Sequence, residues 1–222
     1  AHERSAQLQH LAQLGAGLAH ETKNPLGIVR GLAQSIGQTE GVPDPVRRQA
    51  RQIVDEADRT VGQIDGFITL ARPQPMNPVP VDLAALYPHL LELLRPEAAA
   101  RGVSVDHAPA GLRVLADETA LRRALLNLML NALYACESGG HVTLGAEALG
   151  GGARLFVQDT GTGIPAALLP QVRDPYVSGR PGGTGLGLSI VDMIAREHGW
   201  RLEVHSEEGK GTLVSLEGVA VV

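Results

Sequence analysis

The sequence has little cysteine, few aromatic residues and no long apolar run, and each shortage excludes a class of protein. A single cysteine, Cys136, excludes an internal disulfide and any metal site built from several thiolates. Aromatic residues make up 3% of the chain and the net charge is −5. Both values argue against a nucleic-acid partner, because such surfaces are basic and stack bases on aromatic rings. No apolar run approaches the roughly 18 residues that span a bilayer.

The remaining composition is that of folded domains in a reducing compartment. The 222 residues are 44% hydrophobic and 19% charged, which suits one or two globular domains with their own cores. Cys136 is interpreted as a small buried apolar residue in a helix, and an unpaired thiol fits a cytoplasmic location.

Apolar periodicity predicts two long helices at the start of the chain. Steps of three and four residues extend over residues 5–36, breakers follow in residues 37–45, and a second amphipathic helix is predicted over residues 45–72. Two such helices cannot bury a two-sided apolar stripe alone. We therefore expect a four-helix bundle made from two copies, with a hairpin packed on a second domain as the alternative.

Four prolines within residues 72–80 predict an extended linker and a domain boundary. The expected division is a helical domain over residues 1–72, a linker over 73–81 and a second domain over 82–222. In the second domain, helices alternate with mostly hairpin-connected strands; a helix is expected from about Leu83 to Arg101, and Asp117-Glu118 is expected to cap the next one. The predicted fold class is therefore α+β, with a two-layer α/β sandwich after the helical hairpin.

A histidine near the middle of the first helix carries groups suited to chemistry at nitrogen. Glu21 follows His20 directly, and Asn24 lies one helical turn later. A neutral imidazole has one bare nitrogen for attack, and an adjacent carboxylate can hold and accept the other proton. We interpret His20 as a phosphate-accepting nucleophile and Glu21 as its base. The alternative is a solvated helix face, against which Pro25 argues because a kink exposes a reactive residue.

Three further motifs suggest a nucleotide site. Asn127 and Asn131 share one helix face, where their carbonyl oxygens could hold Mg²⁺; the alternative is polar surface. Residues 159–163, Asp-Thr-Gly-Thr-Gly, place a carboxylate beside glycines, although an ordinary Asp-Gly turn has the same pattern. Residues 182–189 are glycine-rich and precede a helix, which favours phosphate binding. A dinucleotide-binding motif fits them less well because no strand precedes them.

Taken together, these motifs resemble those of a known family. Residues 20–26, His-Glu-Thr-Lys-Asn-Pro-Leu, resemble the H box of two-component sensor histidine kinases, with Thr22 where an apolar residue is usual. Residues 127–132, 159–163, 182–189 and 209–212 follow the motif order of the ATP-binding domain shared by histidine kinases, gyrase, heat-shock chaperone ATPases and mismatch-repair ATPases. The lid departs from the family, because Val172-Arg-Asp-Pro-Tyr176 replaces the usual Phe-Glu-Pro-Phe pattern.

The resemblance implies that ATP and Mg²⁺ bind the second domain, and that a phosphoryl group passes to His20 and then to an aspartate of a response regulator. It implies that Asn131 is the principal metal ligand, with Asn127 assisting, and that Asp159 accepts from the adenine amino group, which favours ATP over GTP. Arg180 is expected to be free to reach the β- or γ-phosphate from a poorly ordered segment. The other expected nucleotide contacts are Gly161, Gly163, Ile164, Gly183, Thr184, Gly185, Leu186, Gly187 and Thr212.

The resemblance also bears on partners and on the reverse reaction. Asn24 matches the position where phosphatase-active members carry Thr or Asn, so we expect it to orient a water; the alternative is that it only prepares the Pro25 kink. We expect a homodimer, a response regulator partner, a cytoplasmic location, no nucleic acid and no membrane contact by this fragment. A sensor, membrane-bound or cytoplasmic, is expected upstream.

Two rival functions stay open. The first is an ATPase of the same nucleotide fold that drives conformational change, and the second is a scaffold without activity. The ATPases need a carboxylate at the position of Asn127 to activate water, and an amide is not a base. The intact nucleotide motifs argue against the scaffold, and a nucleotide-binding measurement distinguishes it.

Overall fold

The computed structural model describes residues 22–71, 75–109, 111–180 and 183–222, without the side chains of residues 63 and 65–71. The chain forms two compact units, and the second begins at Pro75. Within the described residues, no helix is both long and apolar enough to cross a membrane. His20 and Glu21 lie outside the described residues.

The first unit is a pair of helices. The described part of α1 covers residues 22–38, and α2 covers Asp44–Ala71. An ion pair of 2.6 Å between Arg30 Nε and Asp58 Oδ1 joins them, and the buried positions are alanines (Ala33, Ala50 and Ala57). Larger apolar side chains stay exposed, namely Ile28, Val29, Leu32, Ile36, Val46 and Ile53. The unit therefore leaves much of its apolar surface uncovered by its own described residues.

The described residues of the second unit form three α-helices and seven strands, with a short 3₁₀ helix at Leu169–Gln171. In chain order they are β1 (Val79–Asp82), α3 (Leu83–Arg101), β2 (Ser104–His107), β3 (Arg113–Ala116), α4 (Glu118–Ala135), β4 (His141–Leu149), β5 (Gly152–Asp159), α5 (Gly187–His198), β6 (Arg201–Glu207) and β7 (Gly211–Val219). The main sheet has the order β2-β4-β5-β7-β6. Its pairs are antiparallel except β2 with β4, which is parallel.

The core lies between this sheet and the three helices. Alternate residues of the strands are buried, among them Leu144 on β4, Leu155 on β5 and Leu216 on β7, all with no exposed surface. Leu90 on α3 and Leu125 on α4 are equally buried on the helical side. One helical layer on one sheet is the two-layer α/β sandwich expected from the sequence, so the predicted fold class is confirmed.

The end of the proline-rich segment differs from the expectation of a linker. Residues 79–82 form β1, which pairs antiparallel with β3 so that Pro80 lies opposite Leu115. Proline is tolerated in such a two-stranded sheet because an edge strand does not need every N–H for pairing. The linker expected over residues 73–81 therefore overlaps the second unit.

Strand pairing at the other end positions the site. Asp159 is the last residue of β5, and its register partners are Val142 on β4 and Thr212 on β7. The Asp-Thr-Gly motif therefore begins at the end of the central strand. It lies beside the glycine-containing residues 209–212, at the turn between β6 and β7.

Candidate active site

Asp159 is a buried carboxylate at the end of a central strand. It is 7% exposed, and its Oδ1 accepts hydrogen bonds from Gly161 N at 2.8 Å and Thr212 N at 3.2 Å. Burial raises the pKa of this carboxyl, while the two backbone donors and the charge of Arg180 act in the opposite direction. No hydrogen bond from the described residues reaches Oδ2, so this oxygen is the one that can accept from a ligand.

Ser206 joins the loop after Asp159 to the last two strands. Its Oγ accepts from Ile164 N at 2.8 Å and lies 2.9 Å from Thr212 Oγ1. Gly163 has a φ of 68°, and a Cβ there would overlap the carbonyl of Glu207. The loop is therefore held against the turn between β6 and β7, which places Gly163, Ile164 and Thr212 around Asp159.

A cleft opens at this end of the sheet. Its volume is about 470 Å³, and its lining comes from β5, β6 and β7, including Asp159, Ser206 and Thr212, and from Leu169 of the lid segment (residues 165–180). Asn127, Asn131 and the described residues of the glycine-rich motif do not line it, so the cleft covers only the Asp159 end of the candidate site.

Asn127 and Asn131 project from one face of α4, as their spacing predicts. Asn127 Nδ2 donates to Arg123 O at 2.9 Å, which leaves its amide oxygen as the atom available to a donor or cation. Asn131 lies against the start of α5, because a Cβ on Gly187 would be 2.9 Å from Asn131 Nδ2. Helix N-termini carry positive potential and unpaired N–H groups. This end of the site therefore combines amide oxygens with an anion-attracting helix end.

The lid segment packs on the glycine-rich motif. Tyr176 N donates to Gly185 O at 3.0 Å, and a Cβ on Gly185 would lie 2.5 Å from the Tyr176 carbonyl carbon. Gly183 N donates to Arg180 O at 3.2 Å, and Leu186 N donates to Thr184 Oγ1 at 3.4 Å. The lid segment is therefore followed by α5, which begins beside Asn131. The described residues that connect the two are Gly183, Thr184, Gly185, Leu186 and Gly187.

Arg180 differs from the sequence-based expectation. Its Nη2 donates to Asn131 Oδ1 at 3.3 Å, and its guanidinium lies over the Tyr134 ring, 5.2 Å from the centroid. The guanidinium is therefore engaged within the protein, where free access to phosphate had been expected. The reason is local: Asn131 offers an acceptor and Tyr134 offers a ring face on the same helix.

The donor set suits a nucleoside triphosphate with Mg²⁺. The described residues contain no cluster of three or more His, Cys, Asp or Glu able to hold a metal ion. Amide oxygens at Asn127 and Asn131 are hard ligands, and Mg²⁺ commonly takes one or two protein oxygens together with phosphate oxygens and waters. A carboxylate lies at the opposite end, near Gly161, whose backbone packs on Ala135 at the end of α4.

The structure brings together the predicted residues of the second unit, and sequence reasoning missed three that hold them. Ser206, Tyr134 and Arg101 contact predicted residues or each other but belong to no recognised motif. Of these three residues, only Tyr134 could have been found from the sequence. It follows Asn131 by three residues and therefore shares its helix face. Asn24, on the first unit, is helical and exposed.

Comparison with known proteins divides the chain in the same way. Residues 10–75 match the family described as His Kinase A (phospho-acceptor) domain. Residues 116–218 match the family described as Histidine kinase-, DNA gyrase B-, and HSP90-like ATPase.

Similar full-length proteins extend beyond this chain. Sensor histidine kinase ZraS of Klebsiella oxytoca is 35% identical over 216 residues, covering 96% of this chain and 47% of the relative. Sensory histidine kinase/phosphatase NtrB of the same organism is 36% identical over 221 residues, covering 91% of this chain and 62% of the relative. Full-length ShkA in complex with AMPPNP superimposes with a TM-score of 0.74 at 28% identity, covering 95% of this chain and 46% of ShkA. The chain spans about half the length of the first curated relatives.

Proposed function

We propose, because this chain belongs to the sensor histidine kinases and carries their catalytic core, that it phosphorylates His20 from Mg-ATP and passes the phosphoryl group to an aspartate of a response regulator. The observation that carries the proposal is a site with the buried carboxylate of Asp159 at one end and with Asn131 beside the start of α5 at the other. The complex of ShkA with AMPPNP, an ATP analogue, supports ATP as the ligand.

Asp159 supplies base recognition. Its Oδ1 is occupied by Gly161 N and Thr212 N, so Oδ2 accepts from the exocyclic amino group of adenine. Guanine presents a carbonyl at that position, which would face the carboxylate as a second acceptor. The geometry therefore supports ATP over GTP. Gly163 and Ile164 border the base, since Ser206 holds them beside Thr212.

Asn131 and Asn127 would hold Mg²⁺ together with phosphate oxygens. When held by these amides, Mg²⁺ would supply positive charge that stabilises the phosphates during transfer. The N-terminus of α5, at Gly187, adds positive potential on the same side.

His20 and Glu21 remain assignments from the sequence. A neutral His20 nitrogen attacks the γ-phosphorus, an N–P bond forms, the bond to the β–γ bridging oxygen breaks, and ADP leaves. Glu21 accepts the proton from the other ring nitrogen. The phosphoryl group then moves to a carboxylate oxygen of the regulator.

The chain is proposed to act as a homodimer in the cytoplasm, where ATP is supplied. The exposed apolar residues Ile28, Leu32, Ile36 and Ile53 on α1 and α2 support association with a second copy, because burying such a surface is favourable.

The proposal is tested by labelling with radioactive ATP. We expect the parent chain to incorporate phosphate that is stable to alkali and labile to acid, as P–N bonds are. His20→Gln should abolish labelling and leave ATP affinity nearly unchanged, since His20 belongs to a different unit from the nucleotide site. His10→Gln, a second histidine in the first predicted helix, is the matched control and should label normally. Labelling that persists in His20→Gln would refute the assignment.

A further inference from the structure

The ring of Tyr134, on the last turn of α4, lies near two guanidinium groups. Arg101 Cζ is 4.0 Å from the ring centroid, and Arg180 Cζ is 5.2 Å from it. Arg101 belongs to the end of α3, where its Nε is 2.7 Å from Glu97 Oε1. Arg180 belongs to the lid segment. Three separate parts of the unit therefore meet at one aromatic ring.

The position of the ring indicates a role outside the core. Tyr134 is 41% exposed, whereas its helix neighbours Ala132 and Leu133 are buried. It follows Asn131 by three residues, so the ring and the amide lie on adjacent parts of one helix face. Guanidinium groups are attracted to aromatic faces, and arginine stacks there while its N–H groups stay available for hydrogen bonds.

The presence of two positively charged side chains, Arg101 and Arg180, beside the Tyr134 ring needs an explanation, because their charges repel each other. Burial lowers the pKa of Arg180, as does the nearby charge of Arg101, whereas Tyr134 and Asp159 act in the opposite direction. Like charges repel each other, and Glu97 offsets the charge of Arg101, so an anion bound beside Arg180 would remove the rest of this repulsion. Glu97 pairs with Arg101, while Arg180 is directed toward Asn131.

Cation binding at Asn131 would release Arg180. Mg²⁺ bound at the Asn131 oxygen would repel the guanidinium that donates to the same oxygen, because both carry positive charge. Arg180 then needs another acceptor within reach of the Tyr134 ring, and the terminal phosphate of the same nucleotide supplies one. Bidentate hydrogen bonding to phosphate is the usual role of arginine at such sites.

We propose that Tyr134, braced by Arg101, is a positioning residue that presents Arg180 to the terminal phosphate and gives the site its preference for ATP over ADP. The inference rests on the proposed function, since it assumes that a nucleotide with Mg²⁺ occupies the site. It assigns the discrimination between substrate and product to a stack that lies outside the recognised motifs.

The test compares affinities for Mg-ATP and Mg-ADP by calorimetry on the purified full chain. Tyr134→Leu removes the ring and keeps apolar bulk, so ATP affinity should fall about fivefold, within the range expected for a partly buried cation–π contact. ADP affinity should change by less than about twofold because ADP lacks the phosphate in question. Tyr134→Phe keeps the ring face and should bind both nucleotides like the parent.

Two further variants connect the effect to the arginines. In an Arg180→Ala background, Tyr134→Leu should produce no further loss, because the ring acts through that guanidinium. Arg101→Met keeps an unbranched apolar stem on a partly exposed position and should reproduce part of the lost ATP preference. This variant also decides the question if Tyr134→Leu fails to show a normal thermal unfolding transition.

The outcomes separate this inference from the proposed function. A parent chain that neither binds ATP nor labels His20 would refute the proposed function. A parent that binds and labels normally, with an unchanged ATP to ADP ratio in Tyr134→Leu or Arg101→Met, would overturn only the role of the stack. Additive effects of Tyr134→Leu and Arg180→Ala would overturn it equally.

Discussion

Asp159 accepts a hydrogen bond from adenine more strongly when it is ionised, yet burial raises the pKa of its carboxyl. A ligand N–H that donates to the charged form lowers this pKa again, so binding releases a proton. We therefore expect ATP affinity to be greatest above the pKa of the free protein and to fall as pH drops through it. The fall should begin at a higher pH than for an ordinary aspartate. Calorimetric titration with ATP at successive pH values below neutrality measures it.

Asp159→Asn is the control for this pH dependence. It should weaken ATP binding by roughly tenfold, the scale of one lost hydrogen bond to a charged group. Its residual pH dependence reports the titration of ATP itself, and a slope equal to that of the parent would exclude Asp159 as the cause.

The same raised pKa means that the folded state holds this proton more tightly than the unfolded chain. The contribution of Asp159 to stability is therefore lost as pH rises through the folded-state pKa.

At the residue scale, motif residues could be predicted but the residues that hold them could not. Asn127 and Asn131 share a helix face by spacing alone, and Asp159 stands in a recognisable loop. Ser206 lies 42 positions from its hydrogen-bond partner Ile164, and they meet because β5, which precedes Ile164, and β6, which contains Ser206, both pair with β7. Arg101 and Tyr134 likewise meet through packing of α3 beside α4. Contacts of this kind depend on tertiary structure, which no local pattern encodes.

At the scale of elements, caps and periodicity predicted most boundaries. The helix expected over residues 83–101 is α3, with Asp82 Oδ1 accepting from Ala84 N at its start. The predicted cap Asp117 accepts from Ala120 N through Oδ1, and this bond is the largest contribution to its lowered pKa. β1 was missed because proline argues against strands, and its pairing with β3 is a contact between distant segments.

The pairing of β4 with β5 depends on Gly145. Phe156 lies opposite it, and a Cβ on Gly145 would overlap the Phe156 ring. The buried Tyr87 hydroxyl also donates to Gly145 O at 3.1 Å, which ties α3 to the same point. Gly145→Ala should therefore lower the free energy of unfolding by about 1–3 kcal/mol, the usual cost of overpacking. Urea denaturation followed by circular dichroism measures the change.

Gly111→Ala is the matched control for Gly145→Ala. A Cβ at Gly111 would meet nothing within 4 Å, so this variant should unfold at nearly the parent urea concentration. Equal midpoints for both variants would show that Phe156 can move aside at little cost. Because β4 and β5 pair where β5 leads to Asp159, we also expect ATP affinity to decrease in Gly145→Ala when the strands shift.

At the scale of the whole molecule, the proposed relay uses two units with different chemistry. In this proposal the second unit recognises the nucleotide, and His20 exchanges a phosphoryl group with ATP and with the regulator. Kinase chemistry needs a nucleophile and a base, the roles proposed for His20 and Glu21. Removal of phosphate from the regulator needs a positioned water. NtrB, a relative with 36% identity, is named both kinase and phosphatase.

We expect Asn24 to separate the two directions. It lies exposed on α1, four residues after His20 in the sequence, and its amide can orient a water through both its oxygen and its N–H₂ group. A carboxylate there would repel the phosphate. Asn24→Ala should therefore reduce dephosphorylation of the phosphorylated cognate regulator by roughly tenfold or more, the scale of a lost positioning group. Autophosphorylation of His20 should stay within about twofold of the parent, because neither nucleophile nor base is removed.

The measurement follows loss of label from the purified phosphorylated regulator and, separately, gain of label on the kinase. Gln34→Ala, another exposed polar residue on α1, is the matched control and should leave both rates unchanged. Equal loss of both activities in Asn24→Ala would mean that the amide supports the helix beside Pro25, because a local distortion would displace His20 in either direction of the reaction. Selective loss of dephosphorylation would place the water-orienting group one helical turn from the nucleophile, so that a single helix face supports phosphorylation and its reversal.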